Sequence, residues 1–345
     1  TVGVGCLIGG NMHTIHARNV NDAYVAGLKL LYHEGVERES RAGTVVEYPT
    51  CVATVYEKPW ERVLLDPVRD ANPFFHLMES LWMLRGQRDV GTVVRYNKRM
   101  DDYSDDGEIF HGAYGHRWRN HFSQDYRVLD QLKIIIRRLA KDPDDRRCVL
   151  QMWDASHDLN VNKVDVPCNT HVYFKIRDEL GGDDRSGYLN KLHMTVCCRS
   201  NDIIWGAYGA NAVHFSMLHQ YVADCLDVEM GPYIQISDSF HAYKDVFSVK
   251  VIGLMMPVGW KTLDTYDDYN FTHTRFKIPR LLDASEHTFY TSAFYKELIE
   301  PMIKTWDHWK NGEWQSAYDT VSNQMLIEDW RYVCLEWLER RKPNA

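Results

Sequence analysis

The chain has no apolar run approaching the ~20 residues that carry a helix across a bilayer, so no helical membrane span is expected and a cytoplasmic protein is. Its apolar opening, residues 1–10, is short and lacks a basic segment, so it does not read as a secretory signal. Paired metal-binding cysteines are missing too. The eight cysteines (Cys6, Cys51, Cys148, Cys168, Cys197, Cys198, Cys225, Cys334) include no Cys-x-x-Cys pair, and no histidine stands at zinc spacing. Neither disulfide staples nor a metal site is expected, and most of these thiols should be reduced core residues. Positive charge is scarce: 40 Lys and Arg against 48 Asp and Glu give a formal net charge of −8. That argues against a general DNA or RNA surface, whose affinity comes from cations on phosphates, yet leaves room for a local basic pocket for a small anion. Internal repeats and Pro-, Gly- or Ser-rich linkers are absent, which favours one domain over residues 1–345.

At 345 residues, 45% of them hydrophobic and 26% charged, the chain can bury a full core. Residues 21–33 place Ala23, Ala26, Leu30 and Leu31 at helical spacing, with Gly35 just beyond. Residues 45–56 are rich in β-branched side chains and read as strand interrupted at Pro49. Between them, Arg41-Ala42-Gly43-Thr44 reads on spacing alone as an ordinary turn. Residues 74–84 form a strongly apolar helix in which Glu79 shares a face with Phe75, Trp82 and Met83. Periodicity favours burial of that carboxylate, which would make it a candidate general acid or base; exposed, it would only solubilise. Residues 90–106 read as a surface loop whose acidic cluster lacks the calcium-loop pattern. A helix over 124–139 then ends at Asp142-Pro143-Asp144-Asp145, and Arg146-Arg147 precede a strand at 148–153. Adjacent strand side chains point to opposite faces, so these arginines are either an anion clamp near a strand end or a solvated basic turn.

Cys168 leads into a half-buried strand pattern over 171–177, and residues 192–199 return after a polar connection. Antiparallel pairing would put Cys168 beside Arg199 and Ser200, where positive charge can favour the thiolate. A glycine-bearing turn over 205–211 precedes an amphipathic helix at 212–226. Residues 233–243 read as a strand with a polar end on which His241 and Tyr243 share a face able to bind hydroxyls. Helices are expected at 291–304, 313–322 and 323–339, with Trp306, Trp309 and Trp314 as core or interface packing.

Taken in order, Arg41-Ala42-Gly43-Thr44, Glu79-Ser80-Leu81-Trp82, Tyr114-Gly115, Trp118-Arg119, Asp142 through Arg147, Pro167-Cys168, Arg199-Ser200-Asn201-Asp202, and Asp238 with His241-Ala242-Tyr243 resemble the thymidylate synthase superfamily, which includes the deoxypyrimidine-monophosphate hydroxymethylases. The likeness runs from about residue 21 to residue 243. It implies an α/β (α+β) fold with a mixed sheet flanked by helices, paired sheet to sheet in a homodimer. It also implies a pyrimidine nucleoside monophosphate as substrate and 5,10-methylenetetrahydrofolate as one-carbon donor. Cys168 would attack C6 of the base, Glu79 would relay protons, and Tyr114 would line the cysteine's side of the pocket. Arg41, Arg199 and Ser200 would hold the phosphate, joined by Arg146 and Arg147 of the other subunit. His241 and Tyr243 would bind the sugar hydroxyl, and Asp202, Trp82 and Tyr96 would meet the folate. Asn211 would read the base, and its amide suits uracil, where a carboxylate would suit cytosine.

The sequence departs from the synthase pattern in several places. Asn169 stands where His is usual, Cys198 where Gln is usual, and the turn from Gly206 to Asn211 is one residue longer. Tyr96, Asn97 and Met100 occupy the loop that usually brings folate-stacking tryptophans, and residues 340–345 do not resemble the apolar closing tail. A wetter folate side favours water over hydride at the last step, so a C5-hydroxymethylated product of dUMP is expected. Thymidylate synthesis, hydroxymethylation of dCMP or CMP, and a catalytically silent nucleotide-binding protein are the alternatives.

Overall fold

The computed structural model describes residues 11–180, 188–255, 266–269, 271–280 and 286–343. The opening 1–10 with Cys6, part of the connection after residue 178, and the last two residues lie outside the described residues. Twelve strands are described: β1 His13–Ala17, β2 Val36–Ser40, β3 Gly43–Glu47, β4 Val52–Tyr56, β5 Ser123–Gln124, β6 Arg127–Val128, β7 Val149–Gln151, β8 Asn169–Leu180, β9 Tyr188–Cys198, β10 Asn201–Asp202, β11 Glu229–Ser237 and β12 Phe240–Tyr243. Six form a mixed sheet in the order β1-β4-β11-β9-β8-β7, and four form a smaller sheet in the order β10-β12-β3-β2. The mixed α/β architecture is that expected from the sequence.

Two strand-forming runs, one expected to be interrupted at Pro49 and one expected to be continuous, are each divided between these sheets. Residues 45–56 become β3 and β4, and residues 233–243 become β11 and β12. The breaks are matched, because β4 pairs antiparallel with β11 (Val52 opposite Ser237) while β3 pairs antiparallel with β12 (Glu47 opposite His241). The chain makes the same passage from β9 to β10 through Arg199-Ser200. Polar residues that interrupt the strands are thereby gathered along one seam between the sheets.

The two faces of the large sheet differ. One register row, Leu150, Val172, Val196, Gln235 and Thr54, is buried throughout beneath helices. The alternate row, Val149, Tyr173, Thr195, Ile234 and Val55, is only partly covered, with Tyr173 46% and Val149 38% exposed. That alternation is the period of two of a sheet covered on one side.

The Val20–Glu34 helix starts at Asn19, whose side chain accepts the Asn21 and Asp22 N–H groups. The Pro73–Leu84 helix starts at Asn72, which accepts from the Phe75 N–H, and has Pro at its first position. It is buried along nearly its whole length because the Asn211–Leu226 helix packs on one side and the C-terminal helices on another. There Phe74 meets Trp306 and Trp337 at ring distances of 5.5 and 5.3 Å. The helix expected over 124–139 begins only at Gln131, capped by Asp130. Asp125 and Tyr126 adopt left-handed φ (50° and 63°) and turn a small β5–β6 hairpin, which breaks any helix there. The 90–106 segment, expected as loop, contains the short Val90–Val94 helix and a 3-10 turn at Lys98–Tyr103.

Candidate active site

Cys168 ends an irregular segment immediately before β8. The β8–β9 register places Asn169 opposite Cys198, and the Arg199 N–H donates to the Cys168 carbonyl at 2.9 Å, as the hairpin argument requires. The Arg199 guanidinium donates from Nε to the Pro167 carbonyl (2.9 Å) and from Nη2 to the Val166 carbonyl (3.0 Å), and Nη2 lies 3.8 Å from Cys168 Sγ. One side chain thus fixes the loop and faces the thiol with positive charge. Burial pushes the Cys168 thiol up, Arg199 and Arg41 pull it back, and Asp165 adds to the rise.

The Tyr114 hydroxyl accepts from the N–H groups of both Cys168 and Asn169, at 3.3 Å each. Burial holds this phenol neutral, well above its ordinary pKa, so its own O–H remains a donor. Gly115 lets Tyr114 approach the Pro73–Leu84 helix, since a Cβ there would lie 2.1 Å from the Met83 carbonyl oxygen. Asp165 was not singled out in the sequence. Its Oδ2 accepts from the Gly112 N–H at 2.7 Å, and burial pushes its carboxyl up to about 6.

Three asparagines form a directed chain behind the cysteine. Asn169 Nδ2 donates to Asn211 Oδ1 (3.4 Å), Asn211 Nδ2 to Asn201 Oδ1 (3.2 Å), and Asn201 Nδ2 to Ser237 Oγ (2.9 Å). All three are buried, and the network decides which way each amide faces. The longer turn before Asn211 is taken up as a π-helical stretch, Ile203–Ala210, in which the Asn211 N–H donates to the Gly206 carbonyl. Such a turn accommodates one extra residue and still delivers Asn211 to the head of its helix. Cys198 packs inward with its Sγ 3.0 Å from the Ser200 carbonyl oxygen, its thiol pushed well up by burial.

On the small sheet, Asp202 pairs in register with His241. Its Oδ1 accepts from the Ile204 and Trp205 N–H groups (2.8 and 2.6 Å), while Oδ2 is buried without a partner. Burial raises the Asp202 carboxyl, against those N–H bonds and His241. The His241 and Tyr243 rings meet edge to face at 5.9 Å, and Ser239 Oγ lies 3.0 Å from His241 Nδ1, which leaves Nε2 for another partner. Burial also raises the Tyr243 phenol, helped by the charges of Asp202, Tyr103 and Cys168 and opposed by Arg41. Arg41 is exposed at the tip between β2 and β3, and Ser200 is half-buried at the seam.

Other expected residues lie apart. Arg146 and Arg147 are exposed on the turn before edge strand β7, where Arg147 Nε pairs with Asp145 Oδ1 at 2.9 Å. Trp82 is buried, donating from Nε1 to Asp89 Oδ1 (3.1 Å) and packing edge-on against Phe110. Tyr96 is buried against Trp306 at 5.2 Å. Both aromatics are thus placed in packing, not on an open surface. Glu79 is buried, as periodicity suggested, with Oε2 3.1 Å from His214 Nε2. Among the described residues, His121, Asp154 and His157 bring ligand atoms within 4.8 Å of one another. Asp154 Oδ2 already bonds both imidazoles at 2.8 Å, and Arg117 Nη1 lies 3.1 Å from His121 Nε2, so the cluster is an internal hydrogen-bond network.

The thymidylate synthase family model matches residues 22–252. A deoxyuridylate hydroxymethyltransferase of Pseudomonas phage M6 is 43% identical, over 96% of this chain and 95% of that protein. One of Bacillus phage SP01 is 31% identical over 95% and 83% respectively, and a putative thymidylate synthase of Methanosarcina mazei is 29% identical over 66% and 88%. A family match over most of the chain, and a relative this similar along nearly its whole length, make the conclusion direct: the chain belongs to the thymidylate synthase family.

Proposed function

We propose that this enzyme hydroxymethylates C5 of dUMP, taking the one-carbon unit from 5,10-methylenetetrahydrofolate and closing the reaction with water. Cys168 adds to C6 of the uracil ring, which makes C5 nucleophilic. Arg199, Arg41 and Ser200 hold the phosphate at the seam, the arginines pairing with its oxygens through their planar forks. Arg146 and Arg147 complete that site from a second copy docked on the half-covered face of the large sheet. His241 and Tyr243 receive the sugar hydroxyl. The folate supplies the methylene when bound; the unpartnered Oδ2 of Asp202 suits the pterin's N–H groups. Trp205, exposed beside it and backed by Arg69 at 4.5 Å from its ring centroid, offers a flat aromatic surface.

The observation that carries the choice of base is the directed amide chain. With Oδ1 accepting from Asn169 and Nδ2 donating to Asn201, the Asn211 amide retains one acceptor site and one N–H, which match N3–H and O4 of uracil. The choice of water as the final reactant is supported by the likeness to the two phage deoxyuridylate hydroxymethyltransferases. The test is to incubate dUMP and dCMP separately with methylenetetrahydrofolate and identify the products by mass spectrometry. Hydroxymethyl-dUMP with tetrahydrofolate is expected; dTMP with dihydrofolate would overturn the reading. Asn211→Asp should move preference towards dCMP, read as the ratio of kcat/KM values for the two nucleotides. An unchanged ratio would remove Asn211 as base reader.

A further inference from the structure

His214 was not among the residues expected at the site, yet it is buried against one of them, Glu79. It follows Asn211 by three positions on one helix, so the two share a face. Its neighbour Phe215 packs against the Tyr114 ring at 5.9 Å, and Tyr114 in turn holds the Cys168 N–H. His214 is 3% exposed and Glu79 is 7% exposed. Their Nε2 and Oε2 atoms approach to 3.1 Å, but too far off line for a hydrogen bond, and Nε2 has no hydrogen-bond partner. A buried imidazole nitrogen left without a bond beside a buried carboxylate calls for an explanation, because an unmade bond there costs about 1–3 kcal/mol. His76, one turn before Glu79, closes the other side with its ring 6.2 Å from that of His214, and burial keeps His76 neutral.

The hydroxymethylating reaction asks one pocket to accept two protons in succession, first from C5 and then from water. A lone carboxylate that has taken the first is no longer a base for the second. We propose that His214 is the positioning and proton-holding partner of Glu79, taking over the proton gained from C5 so that Glu79 is again a base when water attacks. This rests on the hydroxymethylating reading above. In the step it serves, the water oxygen bonds to the exocyclic methylene carbon and the methylene π electrons pass through C5 to the C4 carbonyl as an enolate. The water proton goes to Glu79. The enolate then collapses to restore the C5–C6 double bond, the C6–S bond breaks, and Cys168 leaves as thiolate. The folate amine, which left when the methylene formed, has by then taken its proton from solvent, and the two protons held by Glu79 and His214 pass to the thiolate or to solvent.

The experiment compares, in a single turnover with enzyme in excess and methylenetetrahydrofolate present, the rate of tritium release from [5-³H]dUMP with the rate of formation of hydroxymethyl product. In the wild-type enzyme the two should match. In His214→Gln, product formation should fall about 100-fold, the lower range for loss of acid–base assistance, while tritium release stays within about threefold. His214→Ala should behave alike and regain product formation on addition of imidazole. Thermal melting and the Kd for dUMP establish that each variant is folded and binds. Equal loss of both readouts, or no loss of either, would overturn the pairing, as would His214→Ala that imidazole does not rescue. Wild-type enzyme making dTMP and dihydrofolate would instead overturn the product reading. In that case the pairing stands if the two readouts still separate in the variants, and falls if they do not.

Discussion

At Cys168 two arginines oppose burial and Asp165 works with it. Asp165 itself is raised from 3.8 to about 6 by burial, so its folded form favours the proton. The sign follows: stability contributed by the neutral carboxyl is present below its unfolded pKa and is lost as pH rises through about 6, where the carboxylate appears beside the thiol. Asp165→Asn, nearly isosteric and still able to accept from Gly112, should therefore lower the Cys168 pKa. The rate of alkylation by iodoacetamide should rise at neutral pH, and the gap from wild type should close as pH falls below about 6. An unchanged alkylation profile would mean that Asp165 does not act on the nucleophile. The cysteine and Arg199 were legible in the sequence because a hairpin brings its open ends together. Asp165 and His214 were not, because each gains its role from a neighbour distant in the chain: Gly112 for one, Glu79 for the other.

Among elements, the best-read ones have strong local signals, such as the Pro73–Leu84 helix and the β8–β9 hairpin. The divided runs were illegible for a physical reason. Pro49 marks the break within Val45 to Tyr56, but nothing local says that the two halves pair with different strands, β12 and β11. The segment carrying Tyr114 depends on a similarly distant tie. Arg117 and Asp158, both without side-chain exposure, form a two-pronged pair (Nη2–Oδ1 2.8 Å, Nη1–Oδ2 3.1 Å), and Arg117 also donates to the His111 carbonyl. Asp158 further accepts the Asp154 N–H at the start of its own short helix. Removing one partner strands a buried charge, so Asp158→Ala should cost about 3–5 kcal/mol, read from the urea midpoint at constant m. Replacing both residues by apolar ones should cost less than that. A single-variant loss below about 1 kcal/mol would show that the pair is hydrated in solution.

For the whole molecule, the partly covered row Val149, Tyr173, Thr195, Ile234 and Val55 runs across five strands and is broad enough to seat another sheet. Arg146 and Arg147 stand just beyond its β7 edge, away from Cys168 within one chain. A two-fold pairing through this face would carry them to the partner's phosphate site, since a self-complementary interface exchanges its edges. Thr195→Arg would place a charge at the centre of the row and should yield monomers by sedimentation, with weakened dUMP binding. The decisive measurement mixes two inactive proteins, Cys168→Ser and the double variant Arg146→Ala/Arg147→Ala, under conditions of subunit exchange. If arginines cross the interface, half of the dimers are hybrids, and each hybrid has one site with both an intact cysteine and intact arginines. Activity should return to about a quarter of wild type, the share set by random pairing in a two-fold dimer. Mixing without recovery, with exchange verified independently, would assign these arginines to their own subunit and leave the phosphate to Arg41, Arg199 and Ser200.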